Sequence, residues 1–429
     1  MSRASLGGAH GLWPVSCARR LGGHELIAER TARSTAGGRF AWRNVERTIA
    51  RLARRNTVFS LRLLHLIPSL SSGGAERQLQ YLAQGLSERG HAVHVGYLHL
   101  GPDERVQVCA QLHRIRAVGN YDPSILGQLW TLMARLKPDI VQTWIMQMDV
   151  LGGLVATARG ERWIIREPNE ALAYRRSWKF RARERVGRRA RAILCNSDGG
   201  RQYWTGVAPG KPTFVVRNAL PAEAIGLARP AAVDLFGLDP KLPIVLYAGR
   251  LVADHTSDKN LTTLVSALRL LRGRTRVQAL LCGEGPQRGQ LEREIERLGL
   301  HETVKLSGHL PRERLWGLLQ VATAFVSVSR FEGMPNAVME AMVAGCPLVL
   351  SDIGAHRELV SQDSALLVAS DRPDAIAQAI EAVLGRPEEA RIRAARAKAR
   401  THTWTLAAAA ADCEQVYDAV LGASRLASC

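Results

Sequence analysis

From Leu61 onward, short unbroken apolar runs alternate with stretches whose apolar residues recur every three or four positions. Leu61–Ile67 predicts a buried strand, Ser71-Ser72-Gly73-Gly74 a turn, and Ala75–Glu88 a helix with Leu79, Leu82, Ala83 and Leu86 on one side. His91–Leu98 is the next predicted strand, so the pattern is that of a parallel βαβ unit. Short apolar runs at 139–143, 163–165 and 192–195 extend the series. After 214–218, Pro221, Gly226 and Pro230 suggest a linker, and a second series follows with predicted strands at 244–249, 277–282, 303–306, 324–328, 348–350 and 365–368. Helices are predicted at 260–272 and 290–298 between them. Alternating strands and helices imply parallel sheets covered on both faces. The expected fold class is α/β, with two Rossmann-like doubly wound domains facing a central cleft. Their expected spans are 58–216 and 217–404, with a C-terminal helix at 405–425 returning to the first. Ligands of such sheets bind beyond the carboxyl ends of the strands.

Residues 1–57 break the pattern. They are rich in Gly, Ala, Ser and Arg with little periodicity, and are expected to be a basic, disordered extension with at most a short helix at 42–55. A start codon assigned too far upstream is the alternative explanation for them.

Composition changes the picture at one point. The 429 residues carry 46% hydrophobic and 23% charged side chains, an ordinary globular balance. The net charge of +19 is unusual, and it is local. Residues 1–60 hold eleven arginines against three glutamates, and residues 175–191 nine basic residues against Glu184, a net +8 in each. Within 175–191, Trp178, Ala182, Val186 and Ala190 stand at fourfold spacing, predicting a basic helix with one apolar stripe. Such a helix suits an anionic membrane surface. It would also suit an anionic acceptor, or be no more than a solvated face. No nucleic-acid motif accompanies the charge, so no nucleic-acid partner is expected. Seven cysteines without a C-x-x-C pair suggest neither a disulfide framework nor a zinc site. No run of eighteen apolar residues and no signal-peptide pattern is present, so the expected location is cytoplasmic, with peripheral attachment at a membrane.

The segment with the most specific chemistry runs from Ser329 to Met342. Pro335 suits the first turn of a helix that would end at Gly345, ahead of Pro347. Unpaired N–H groups near Gly333, Met334 and Asn336 would favour an anion such as a phosphate. Asn336 and Glu340, four apart, share a helix face, and Glu332 lies in the loop before them. Two carboxylates beside an anion-binding helix start could accept hydrogen bonds from a sugar or ribose diol. The plainer reading is a capped helix with two solvated glutamates.

Glu332 and Glu340 form a Glu-x7-Glu motif inside EGMPNAVMEAMVAGCPLVLSDIGAHRELV. This resembles the donor-binding signature of glycosyltransferase family 4, retaining enzymes of the GT-B fold. Further segments resemble the family in order: Ser72–Glu76, Val216-Arg217-Asn218, Gly249-Arg250-Leu251 with Lys259-Asn260, Cys282–Pro286, Gly308-His309-Leu310, and Trp404 with the last helix. The resemblance implies that Arg250 and Lys259 neutralise a donor diphosphate, that Glu332 with the Gly333–Asn336 backbone holds the transferred sugar, and that Glu340 binds the ribose. It also implies donor contacts at Gly73, Gly74, Gly283, Gly285, Leu310, Gly333, Met334, Pro335 and Asn336. The family's donor is a nucleotide diphosphate sugar. No cofactor and no metal are expected, and no Asp-x-Asp occurs.

Two departures stand out. Arg250 and Lys259 are nine apart, which looks like a small insertion at 253–258. Where many members carry a histidine, this chain has Ile165-Arg166-Glu167-Pro168-Asn169, making Glu167 and Asn169 the acceptor-side candidates. His65 reads as a core histidine. The implied activity is transfer of a hexose-type sugar to a glycan or lipid-linked acceptor in bacterial envelope or exopolysaccharide synthesis. A sugar-nucleotide epimerase and an inactive nucleotide-sugar-binding scaffold are the alternatives. A dinucleotide-dependent dehydrogenase is excluded, because no G-x-G-x-x-G follows the first strand.

Overall fold

A computed structural model describes residues 60–426 except 72, 102–107, 121, 175–176 and 254–257. The extension 1–57, Arg175, Arg176 and most of the 253–258 insertion thus lie outside the described residues.

Among the described residues, thirteen strands form two all-parallel sheets. The first has the order β3-β2-β1-β4-β5-β6-β7, with β1 Arg62–Leu70, β2 Ala92–Leu100, β3 Gln111–Arg114, β4 Ile140–Trp144, β5 Trp163–Glu167, β6 Ala192–Cys195 and β7 Thr213–Val215. The second has the order β10-β9-β8-β11-β12-β13, with β8 Ile244–Ala248, β9 Gln278–Cys282, β10 Val304–Gly308, β11 Ala324–Ser327, β12 Leu348–Ser351 and β13 Leu366–Val368. Strands β8 and β9 are buried along their whole length, as strands covered on both faces must be. In each sheet the order reverses beside the first strand of its series, β1 next to β4 and β8 next to β11. Ligands of such sheets bind at switch points of this kind, beyond the carboxyl ends of the strands.

The helix Gly74–Glu88 buries Leu79, Leu82, Ala83 and Leu86 against the first sheet. The closing helix Leu406–Leu426 lies on that helix so closely that a Cβ on Gly85 would come within 2.6 Å of the Leu406 carbonyl oxygen. Tyr417 Oη donates to Gln142 Oε1 on β4 at 2.8 Å, and Glu414 pairs with Arg89 and His91. The chain therefore crosses between the two sheets twice, at Val216–Ala219 and at Trp404–Thr405. The proline-bearing stretch after 220 is not an open linker. It holds the short helix Ala222–Gly226, whose Ile225 is fully buried in the second core.

The basic segment also departs from its pattern. The helix is Trp178–Gly187, capped by Ser177. Trp178 is 65% exposed rather than part of a buried stripe, and Arg183 takes the inward position instead. Among the described residues, no helix is long and apolar enough to cross a membrane.

Candidate active site

The loops at the carboxyl ends of both sheets meet, and at their centre is an ion pair. Lys259 Nζ hydrogen-bonds Glu332 Oε1, and Ser329 Oγ donates to the same oxygen at 2.8 Å. The insertion explains how residues from two loops come together. Ala253 forms an antiparallel bridge with Asp258, and Asp258 a second with Phe331, so the chain returns to set Lys259 beside Glu332. Asn260 then starts the helix Leu261–Leu271 from a left-handed conformation (φ 54°), donating through its side chain to the Val328 carbonyl at 3.2 Å. Burial alone would raise the Glu332 carboxyl. The Lys259 ammonium and the hydrogen bonds from Lys259 and Ser329 outweigh it and hold the group below its ordinary value.

Arg250 is exposed at the end of β8, and its carbonyl accepts from the buried Tyr247 hydroxyl at 3.1 Å. Gly283 and Gly285 have φ of 148° and 156°, and a Cβ on them would lie 1.8 Å from the Gly249 carbonyl oxygen and 2.3 Å from that of Leu251. Only glycine permits two βα turns this close. Leu310 is half-buried against the second core, after the Gly308 turn.

The helix predicted after Pro335 runs from Asn336 to Ala344 and ends at Gly345 in a left-handed conformation. Its first N–H groups have no helical partner by construction and face the cleft with the positive end of the dipole. The Asn336 side chain is otherwise engaged. It accepts from Gln78 Nε2 at 3.1 Å and Asn218 Nδ2 at 2.8 Å, and donates to the Gly74 carbonyl at 3.3 Å. What Asn336 offers an anion is thus backbone. Met334 is buried in the core, its sulfur accepting from the Asn218 N–H at 3.4 Å, so its side chain serves the crossover. Glu340 is fully buried, and its Oε1 accepts from Arg77 Nη1 at 3.1 Å.

Gly73 lies in a loop tied by Glu76, whose Oε1 accepts from Ser69 Oγ at 2.9 Å and Ser71 Oγ at 3.1 Å. A Cβ on Gly333 would stand 1.9 Å from the Pro168 carbonyl oxygen. The loop after β5 therefore closes directly on the loop after β11, where burial raises the Glu170 carboxyl.

The acceptor-side candidates separate here. Asn169 stays at this contact, half-buried beside Gly333. Glu167 does not face the cleft. It is fully buried, accepting from the Tyr174 hydroxyl, from Asn169 N at 2.8 Å and from Trp204 Nε1 at 2.7 Å, and it pairs with Arg183 Nη1 at 2.8 Å. Both its oxygens are saturated, so its role is to hold the loop. Asp149 Oδ2 takes Arg183 Nε at 2.7 Å, completing a buried triad. Burial pushes the Asp149 carboxyl up to about 6, against the pull of Arg183. His65 is a core residue. It accepts from Trp144 Nε1 at 3.2 Å, and burial lowers its pKa to about 3.

Several residues at this junction were not singled out by motif: Arg77, Gln78, Glu170 and Glu358. Arg77 and Gln78 directly follow the Gly73–Glu76 segment, so one more turn of the helix would have reached them. Glu358 had no comparable signal. Its carboxylate accepts from the N–H groups of Asp198 (2.9 Å) and Gly199 (3.1 Å), at the start of the helix Asp198–Val207 in the opposite domain.

Two family models match the chain in succession: Glycosyltransferase Family 4 over residues 72–223 and Glycosyl transferases group 1 over residues 233–400. The chain is 25% identical over 357 residues to the GDP-mannose-dependent alpha-(1-6)-phosphatidylinositol dimannoside mannosyltransferase of Mycobacterium tuberculosis, covering 79% of this chain and 91% of that one. It is 30% identical over 156 residues to the alpha-D-kanosaminyltransferase of Streptomyces kanamyceticus, covering 36% and 39%. Among solved structures, Anabaena Alr3699/HepE in complex with UDP and glucose shares the fold, with a TM-score of 0.73 at 17% identity over 84% of this chain and 100% of that one.

Proposed function

This chain belongs to glycosyltransferase family 4, and from that premise we propose that it moves a hexose-type sugar from a nucleotide diphosphate sugar to a glycan or lipid-linked acceptor with retention of configuration. The observation that carries the proposal is the Lys259–Glu332 pair, whose Glu332 lies in the loop that leads into the helix Asn336–Ala344. A diphosphate arriving at the Asn336 helix start would attract Lys259 and Arg250, whose charges stabilise the leaving group as the glycosidic bond breaks. Lys259 and Arg250 supply the positive charge, so metal-independent transfer is the reading adopted. Glu332 would accept from the sugar's hydroxyls. The contact of Gly333 with Pro168 would exclude water that could hydrolyse the donor. An epimerase or an inactive scaffold is not favoured, since the charged set is intact and the relatives named above are transferases.

The acceptor side carries a surface suited to lipid. Trp178 and Leu172 are 65% and 68% exposed, and Lys179, Arg181, Arg185, Arg188 and Arg189 are exposed on or next to the same helix. We read this face as docking on an anionic membrane, at the cytoplasmic side of a bacterial inner membrane, where envelope or exopolysaccharide acceptors are assembled. The mycobacterial relative's name includes a phosphatidylinositol acceptor, which agrees with that reading. A panel of UDP- and GDP-linked hexoses, scored by thermal stabilisation and then by nucleoside diphosphate release with candidate acceptors, tests the function. Stabilisation by no nucleotide sugar would overturn it.

A further inference from the structure

Glu340 presents an asymmetric carboxylate. It is completely buried, one oxygen is held by Arg77 from the opposite domain, and the other, Oε2, finds no hydrogen-bond partner among the described residues. A buried carboxylate oxygen without a donor is costly, so the site is built for an incoming hydroxyl. Arg77 itself comes from the first turn of the helix Gly74–Glu88, next to Gln78, which binds Asn336. Helix Gly74–Glu88 thus touches both polar side chains that helix Asn336–Ala344 places four apart on one face. Tyr81, one turn further, meets Arg312 from the segment after Leu310, and the charges of Glu340 and Arg77 reach its hydroxyl.

We propose that Arg77 is a positioning residue for the donor. By clamping Glu340 Oε1 it turns Oε2 toward a ribose hydroxyl, and so makes ribose recognition depend on closure of the two domains. The inference rests on the donor-site reading given above. It predicts that the opposite domain contributes to nucleotide affinity through Glu340.

The test is calorimetric titration of the full chain with UDP, GDP and the 2′-deoxy and 3′-deoxy forms of whichever binds, for wild type, Arg77→Gln, Arg77→Lys and Glu340→Gln. Wild type should discriminate against at least one deoxy form by about tenfold or more, the worth of a hydrogen bond to a charged group. Arg77→Gln and Glu340→Gln should both lose that discrimination, and Arg77→Lys should retain part of it. A uniform loss of affinity for ribo and deoxy forms alike in Arg77→Gln would mark Arg77 as merely structural and overturn the proposal. Wild type that binds a diphosphate but discriminates against neither deoxy form would also overturn it, with the donor site left standing. Failure of both diphosphates to bind wild type would remove the donor reading and this inference together. Arg77→Lys covers the case in which Arg77→Gln does not fold.

Discussion

Lys259 and Glu332 belong to different βα loops, 73 residues apart, and join through a single hydrogen-bonded ion pair at the centre of the cleft. The pair is partly buried on both sides, with 17% and 13% of the side chains exposed. It is therefore strong enough to order both loops, yet open enough to be exchanged for a substrate. Replacing Glu332 by Gln keeps the shape and removes the charge. Transfer should fall by about two to three orders of magnitude, as on loss of a preorganised polar contact, while the circular dichroism spectrum stays that of wild type. Full activity in Glu332→Gln would remove Glu332 from the chemistry.

The same pair sets a pH dependence. Glu332 has a folded-state pKa below its ordinary 4.5, so its pairing stabilises the fold above that value and is lost as pH falls through the lowered pKa. Wild type should therefore lose thermal stability more steeply than Glu332→Gln on going from about pH 5 to pH 3. Parallel melting curves for the two proteins across that range would show that the pair contributes nothing to stability.

Glu358 makes the clearest contact between the domains outside the cleft. Two backbone N–H donors at a helix start converge on its carboxylate, a charge-assisted pairing worth about 1.5–3 kcal/mol. Glu358→Gln should leave each domain folded and shift the closed form toward open ones. Small-angle scattering should report a larger radius of gyration, and the KM for donor should rise with less change in kcat. An unchanged scattering curve would mean closure is held by the helix Asn336–Ala344 alone.

Arg183 is the one arginine of the basic helix that points inward. It lies over the rings of Tyr174 and Trp204 and bridges Asp149 and Glu167. Arg183→Met would leave two buried carboxylates unpaired and should cost about 3–5 kcal/mol, seen as a large drop in melting temperature. Adding Asp149→Asn and Glu167→Gln should recover part of it. If the triple variant is no more stable than Arg183→Met, the three residues do not act as a unit.

Arg183 also shows where sequence reading stopped. The apolar runs made most strands legible, because a strand buried on both faces must be apolar throughout; the edge strand Gln111–Arg114 is largely exposed and has no such run. The Glu332–Glu340 helix was legible from local rules: a proline at the start, a glycine at the end, and two carboxylates at fixed spacing. Fourfold apolar spacing in 178–190, in contrast, assumes that arginine faces water, and it placed Trp178 inside and Arg183 outside. The reverse arrangement depends on Asp149 and Glu167, 34 and 16 residues earlier in sequence, and no local pattern announces that three charges will be buried together. The same triad removed Glu167 from the acceptor side. Asn336 was found for its backbone, but its side-chain partners Gln78 and Asn218 lie 258 and 118 residues away and belong to the opposite domain and the crossover.

With Arg183 accounted for, the function of the exposed arginines at 181, 185, 188 and 189 can be separated from folding. Arg181, Arg185, Arg188 and Arg189 are exposed, and Trp178 beside them is an apolar side chain suited to a headgroup layer. Reversing all four charges should abolish sedimentation with vesicles containing anionic phospholipid, since each basic residue near such a surface is worth about 1 kcal/mol. Trp178→Ala should weaken binding less and without changing its salt dependence, because its contribution is apolar. Donor hydrolysis in the absence of acceptor should be unaffected in both variants, as the cleft residues are untouched. Unchanged vesicle binding after charge reversal would assign this face to solvent, or to an acceptor that is not membrane-bound.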